Sequence, residues 1–186
     1  MEDADLISRV GRGDRAAFGL LYERHAKAVY NFARILVQSV PDAEDVTQEC
    51  FLALVRRPRS FDPALSQLRT WLLAVARNQA LQRRRNQGRD LFLSGITERG
   101  LEPAAISDLM ELERAQAVRA ALAQLPDTQR EALYLFDFEE LSLAETAAVL
   151  AIEPNAVKAR LFRAREQMKR LLLPLQPALS WKDSYE

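Results

Sequence analysis

The sequence predicts an all-α chain: two small helical domains joined by a flexible linker. Three observations carry this. Apolar residues recur at helical spacing along nearly all of the 186 residues, with no convincing run of alternating β-branched residues. Glycine and proline are sparse, at six and eight, which favours helices over a turn-rich β fold. The periodicity lapses over residues 88–106, GRDLFLSGITERGLEPAAI, which hold three glycines and a proline. That lapse predicts a first domain over 1–90, a linker over 91–106, a second domain over 107–174 and a tail over 175–186. Fully extended, the linker region reaches about 60 Å at roughly 3.3 Å per residue.

The first domain begins with an acidic segment, MEDADLISRV, that has no signal-peptide core. Asp14 is placed to cap a long helix running to about Val37, with Phe18, Leu21, Tyr22, Ala26, Val29, Phe32 and Ile35 or Leu36 inward. Pro41-Asp42 restarts the chain, and Asp42 is the expected cap of AEDVTQECFLALVRR. Pro58 and Pro63 bracket a loop. A fourth helix is expected from about Ser66 to Asn86, with Leu68, Leu72, Val75 and Gln79 on one side and Trp71 and Ala76 flanking. In the second domain, helices are expected over about 107–124, 127–138, 142–150 and 154–173.

The last two of these have the form of a helix-turn-helix. Ser142 and Glu145 make an S-x-x-E capping box, Ala151 to Glu153 a short turn, and Pro154 a helix start. In the second helix Val157, Leu161, Ala164 and Met168 form an apolar stripe. Asn155, Lys158, Ala159 and Phe162 fall on another face, flanked by Arg160, Arg163 and Arg165. Amide and cationic groups near the N-terminus, flanking bases and an outward apolar group suit base edges, phosphates and a thymine methyl in a major groove. A solvated basic helix, with Phe162 packed on a neighbour, fits the same spacing.

Formal net charge is zero, but the charges are segregated. Residues 63–89 hold six arginines and no acid, residues 90–113 six acids and one arginine, and residues 158–170 six bases and one acid. Cys50 is the only cysteine and His25 the only histidine. The first reads as a small buried hydrophobe and the second as structural or exposed. No nucleophile–base pair, glycine-rich phosphate loop or metal cluster points to catalysis, so no catalytic residue, metal or cofactor is expected. The apolar run WLLAVA falls far short of a membrane span, and a cytoplasmic protein without membrane insertion is the expectation.

Two N-terminal faces are candidate binding surfaces. In PDAEDVTQECFLALVRR, Ala43, Val46, Cys50 and Leu54 point one way and Asp45, Gln48, Glu49 and Leu52 the other. On spacing alone, acids at a helix start serve the macrodipole equally well. In RTWLLAVARNQALQRRR, an apolar beginning gives way to a cationic end. Thr70, Arg77 and Arg84 share one line, and Asn78 and Arg85 share a neighbouring one. Such groups suit phosphates and exposed bases, or a solvated basic face.

Together these segments resemble the extracytoplasmic-function group of the sigma-70 family, the bacterial RNA polymerase initiation subunits, over about residues 3–173. DAEDVTQECF resembles the group's region 2 signature for docking on core polymerase. RTWLLAVARNQALQRRR resembles its −10 and strand-opening segment, and LPDTQREALYLFDFEELSLAETAAVLAIEPNAVKARLFRAR its region 4. The first domain then implies a region 2 bundle and the second a region 4 helix-turn-helix, with no acidic N-terminal extension or separate middle domain. The resemblance implies core polymerase as partner, through the β′ clamp helices and the β subunit, with Asp45, Gln48, Glu49 and Leu52 at the clamp helices. It implies that Arg77, Asn78, Arg83, Arg84, Arg85 and Asn86 meet the opened −10 strand. Asn155, Lys158, Ala159, Arg160, Phe162 and Arg163 would meet the −35 duplex. It further implies an anti-sigma partner. The family commonly has Asp where Gln82 stands, Gly where Glu140 and Ala151 stand, and Gly-Thr/Ser-Val-Lys-Ser where Asn155 to Ala159 stand, which points to a distinct promoter preference. A stand-alone helix-turn-helix regulator is the alternative. It explains 142–170 but leaves the acidic and arginine-rich helices without a role.

Overall fold

The computed structural model describes residues 2–91 and 109–173, with side chains over 2–86 and 115–173. The expected linker, apart from the end of the fourth helix, and the tail lie outside the described residues. Four helices form the first domain: α1 (Asp3–Val10), α2 (Arg15–Val37), α3 (Val40–Arg56) and α4 (Leu68–Leu91). A 3₁₀ turn, Pro58–Ser60, follows α3. Four more form the second: α5 (Leu109–Gln124), α6 (Asp127–Leu133), α7 (Leu143–Leu150) and α8 (Pro154–Leu172), with a π-helical turn, Tyr134–Phe138, continuing α6.

Helix α1 is an element the apolar spacing did not announce. It is short, and tertiary contacts hold it: Leu6, Ile7 and Val10 are buried. Asp3 bonds Arg24 of α2 at 2.9 Å and the His25 imidazole at 2.8 Å. His25 is thus a structural partner of α1. Asp14 caps α2 as expected, accepting from the amides of Ala16 at 3.0 Å and Ala17 at 3.1 Å. These bonds, with Ala17 foremost, and the neighbouring Arg9 hold its carboxyl below the ordinary value. Leu21, Val29, Phe32 and Leu36 are buried, whereas Tyr22 lies at the rim with its ring 4.8 Å from that of Phe51.

The cap of α3 is Ser39, not Asp42: the Ser39 hydroxyl accepts from the Asp42 amide at 3.4 Å. Val40 and Pro41 supply the first helical residues, which suits proline's missing donor. Ala43, Val46, Cys50 and Leu54 are buried as the spacing predicts. In α4 the buried side is turned from the expected one, toward Leu68, Leu72, Leu73, Ala76 and Ala80. The reason is that α4 packs against α2 and α3 on one side and α7 on the other, so one apolar stripe does not describe it. Trp71 is half-buried, edge-on to Phe61 at 6.1 Å. The helix also runs on to Leu91 rather than stopping near Asn86.

In the second domain the Ser142–Glu145 capping box forms in both directions. The Ser142 hydroxyl and amide hold the Glu145 carboxyl below its ordinary value. The turn between α7 and α8 passes through Ala151 at φ 52°, and Glu140, between the π turn and α7, sits at φ 53°. These are the two positions at which the resemblance noted above implies glycine. A left-handed conformation costs an L-residue about 1–2 kcal/mol. Glycine's extra freedom when unfolded takes back about 0.4–1 kcal/mol. Ala151→Gly should therefore stabilise the chain by about 0.5–1 kcal/mol. Urea denaturation checks this, and a lowered midpoint would contradict it.

Candidate polymerase and nucleic-acid interfaces

Helix α3 keeps its apolar stripe inward, so its other face is presented outward. Asp45, Gln48 and Leu52 are exposed and Glu49 half-exposed, Leu52 at 40 %. Val55, 44 % exposed, extends the line at i+3 from Leu52. It was not among the expected site residues, although continuing the 45, 48, 52 spacing by one step finds it. The acids and the two aliphatic side chains make one mixed surface along α3.

The α4 candidates divide among three directions. Asn78, Arg85 and Asn86 are exposed, and so is Gln82, which lies in line between them. This is one continuous outward stripe ending in a cation and an amide. Arg83 turns instead to α3. Its Nε bonds Asp42 at 2.8 Å and its Nη2 bonds Asp45, tying the start of α3 to the far end of α4. Arg77 and Arg84 face the second domain. Arg77 Nε bonds Glu131 of α6 at 2.8 Å, and Arg84 Nη2 bonds Asp127 at 2.5 Å. Burial alone would push the Asp127 carboxyl up. The hydrogen bond from Arg84 and the charge of Arg130 outweigh it and hold the carboxyl low. The spacing put Arg77 and Arg84 on one line and Asn78 and Arg85 on another, and the structure keeps those lines but gives them different neighbours.

Helix α8 separates its faces cleanly. Val157, Leu161, Ala164 and Met168 are buried, and Asn155, Lys158, Ala159, Phe162 and Arg163 are exposed. Phe162 is 69 % exposed, so it is not packed on a neighbour. Arg160 is half-buried. Arg165 serves the fold: its guanidinium bonds Asp137 of the π turn at 2.5 Å and lies 5.5 Å from the centre of the Phe136 ring. That clamp fixes the orientation of α8 against its own domain. Among the described residues no cluster of metal-ligating side chains occurs, and no helix is long and apolar enough to cross a membrane.

Family models for Sigma-70 region 2 and Sigma-70 region 4 match residues 21–90 and 115–168. The chain is 33 % identical to the RNA polymerase sigma-H factor of Pseudomonas aeruginosa, over 94 % of this chain and 95 % of that one. It is 34 % identical to the ECF RNA polymerase sigma factor SigM of Mycobacterium tuberculosis, over 91 % of this chain and 84 % of that one. Among solved structures it is similar to the sigma factor RpoE of Bartonella quintana in complex with the anti-sigma factor NepR. The TM-score is 0.74 at 28 % identity, covering 84 % of this chain and 96 % of that one.

Proposed function

The chain belongs to the extracytoplasmic-function group of the sigma-70 family, and from that premise we propose how its surfaces divide the work of initiation. The outward face of α3, with Asp45, Gln48, Glu49, Leu52 and Val55, docks on the clamp helices of the polymerase β′ subunit, and the β subunit contributes further contacts. The exposed faces of α8 and α4 take promoter DNA. Sigma factors are non-catalytic initiation subunits, so this chain supplies address and strand opening while polymerase carries out phosphoryl transfer in the cytoplasm.

The observation that carries this reading is α8, a helix with one stripe sealed in its domain and the opposite face open to solvent. That open face holds Asn155, Lys158, Ala159, Phe162 and Arg163. Set in the −35 major groove, Lys158 is placed to donate to guanine O6 or N7, Asn155 to pair with base edges or phosphate, and Phe162 to cover a thymine methyl. Arg160 and Arg163 lie nearer the phosphates. Ala159 adds no polar group, so the contacts of Lys158 and Asn155 weigh more here. On α4 the stripe Asn78, Gln82, Arg85, Asn86 suits bases leaving the stack. Gln82 there reads base edges through a neutral amide rather than a carboxylate. Unstacking costs a few kcal/mol, which captured bases and phosphate contacts offset. Arg77, Arg83 and Arg84 join that surface when their present carboxylate partners release them.

A run-off transcription assay with purified core polymerase tests the assignment, and a chain that directs core polymerase to no promoter would refute it. Within that assay, Lys158→Ala should weaken −35 recognition by about 1–3 kcal/mol at the base it contacts. An equal loss on every −35 sequence would instead make Lys158 a phosphate contact. The anti-sigma complex of the Bartonella relative supports a protein inhibitor as a further partner of this chain. A stand-alone regulator would bind duplex tightly without polymerase and would leave the exposed α3 face without a use.

A further inference from the structure

One corner of the first domain carries a cluster of arginines that neither the docking face nor the DNA-facing stripes use. Helices α2 and α3 form a hairpin, so the start of α2 lies beside the end of α3, with the Phe18 ring edge-on to that of Phe51 at 6.2 Å. Arg15 stands about one turn before Phe18, and Arg56 and Arg57 stand just over one turn after Phe51. The turn before α2 closes on the same place. A Cβ added at Gly11 would lie 3.4 Å from Pro58 Cγ, which sets Arg12 beside Arg57 and Arg59. Arg12, Arg15, Arg56, Arg57 and Arg59 are all exposed. Arg12 donates to the Ser8 hydroxyl at 3.3 Å, and Arg56 lies 3.9 Å from Glu49. Arg15, Arg57 and Arg59 have no carboxylate within ion-pair distance among the described residues. Asp14, the acid of this turn, is taken by Arg9 at 2.8 Å and by the amides it caps.

Like charges gathered this way repel, a cost to the free fold that a bound polyanion relieves. The guanidinium fork suits two phosphate oxygens. The corner also lies at the end of a path. The outward line of α4, Arg85, Gln82 and Asn78, continues at helical spacing through the partly buried Ala74 and Trp71 to the exposed Gln67. Trp71 meets Phe61 at 6.1 Å, two residues on from Arg59. From Arg85 to Gln67 the line is about 27 Å long at roughly 1.5 Å per residue. That is the length of about eight phosphates of a stacked strand at roughly 3.4 Å each. We propose that Arg12, Arg15, Arg56, Arg57 and Arg59 form a further phosphate-binding site, and that its ligand is the backbone of the opened promoter strand beyond the bases held on α4. The site reads no sequence, because phosphate contacts position a strand without identifying its bases. What it adds is a hold on the strand that grows with strand length and weakens with salt. This rests on the reading of Asn78, Gln82 and Arg85 as DNA-facing.

The test uses holoenzyme, reconstituted from core polymerase and the full-length chain. The probes are labelled A/T-rich single-stranded oligonucleotides of about six and about fourteen nucleotides, the shorter spanning the α4 stripe alone and the longer reaching the corner. Fluorescence anisotropy gives the affinity over a range of salt concentrations. Arg15→Gln, Arg57→Gln and Arg59→Gln combined, all at exposed positions, should leave the shorter oligonucleotide's binding unchanged. For the longer one, the slope of log affinity against log salt should fall by about 2, at roughly 0.7 for each of three phosphate contacts. With the two chains equal at about 1 M salt, that is a loss of about a hundredfold at about 0.1 M. Arg85→Gln, on the α4 stripe, should weaken both lengths. If Arg85→Gln weakens neither, the DNA-facing reading of α4 falls and the path falls with it. If Arg85→Gln weakens both while the corner variant holds the longer strand with an unchanged slope, the corner proposal alone is overturned. Equal loss on both lengths would make the corner a bulk-charge effect, and lost affinity for core polymerase without DNA would make it a protein contact. Either result overturns the proposal.

Discussion

Leu52→Asp should lower the affinity for core polymerase by about 2 kcal/mol or more, roughly thirtyfold, which is the scale of an interface hot spot. The chain's own stability should scarcely change. Leu52 and Val55 are the aliphatic members of the outward α3 line, at 40 % and 44 % exposure, with Asp45 and Gln48 ahead of them. A carboxylate placed there meets solvent in the free protein and loses it on docking. The penalty therefore falls on the complex alone. Surface plasmon resonance against immobilised core polymerase gives the affinity and a thermal melt gives the stability. Unchanged affinity would remove this face from the docking surface. A collapsed melting temperature would show Leu52 to be structural.

Phe32→Ala should cost about 3–5 kcal/mol in urea denaturation, the range for deleting a fully buried aromatic side chain. Phe32 has no solvent exposure, and its ring is the first of three in series. It lies 5.8 Å from Tyr134 at 15°, and Tyr134 lies 5.4 Å from Phe138 at 9°. Burial, with Glu139 beside it, pushes the Tyr134 hydroxyl far up, so the middle ring stays neutral. Phe32→Leu keeps most of the volume and should cost less than about 1.5 kcal/mol. Similar losses for the two substitutions would show that the stacked geometry, rather than the filled volume, carries the effect.

Much of this fold was legible because its rules are local. Asp14 and Ser142 cap helices through hydrogen bonds to residues two and three positions away, and α8 sorts its faces by spacing alone. The glycine-for-residue departures at Glu140 and Ala151 marked the turns that now hold left-handed backbone. What could not be read is what depends on distant parts of the chain. Ser39 and Asp42 are both good caps, and only the helix start decides between them. Helix α1 owes its place to Asp3 meeting α2 more than twenty residues on. The sequence showed the arginines of 63–89 only as a segregated basic run beside an acidic one. The described pairs reach past it to Asp127, Glu131 and Glu139, a pairing that no periodicity encodes. For the same reason the spacing set the α4 candidates in separate lines but could not say which line meets the second domain and which meets solvent.

Cys50 is fully buried on α3, and burial, with Glu49 adding to it, pushes its thiol up to about 12. At neutral pH almost no thiolate forms, and the thiolate is the reactive species. The native sulfur is therefore chemically silent toward maleimides and mild oxidants while the fold is intact. A cysteine introduced on the exposed face of each domain would carry a dye pair without any change to the core, so the distance between the domains can be followed in single molecules as polymerase and DNA are added.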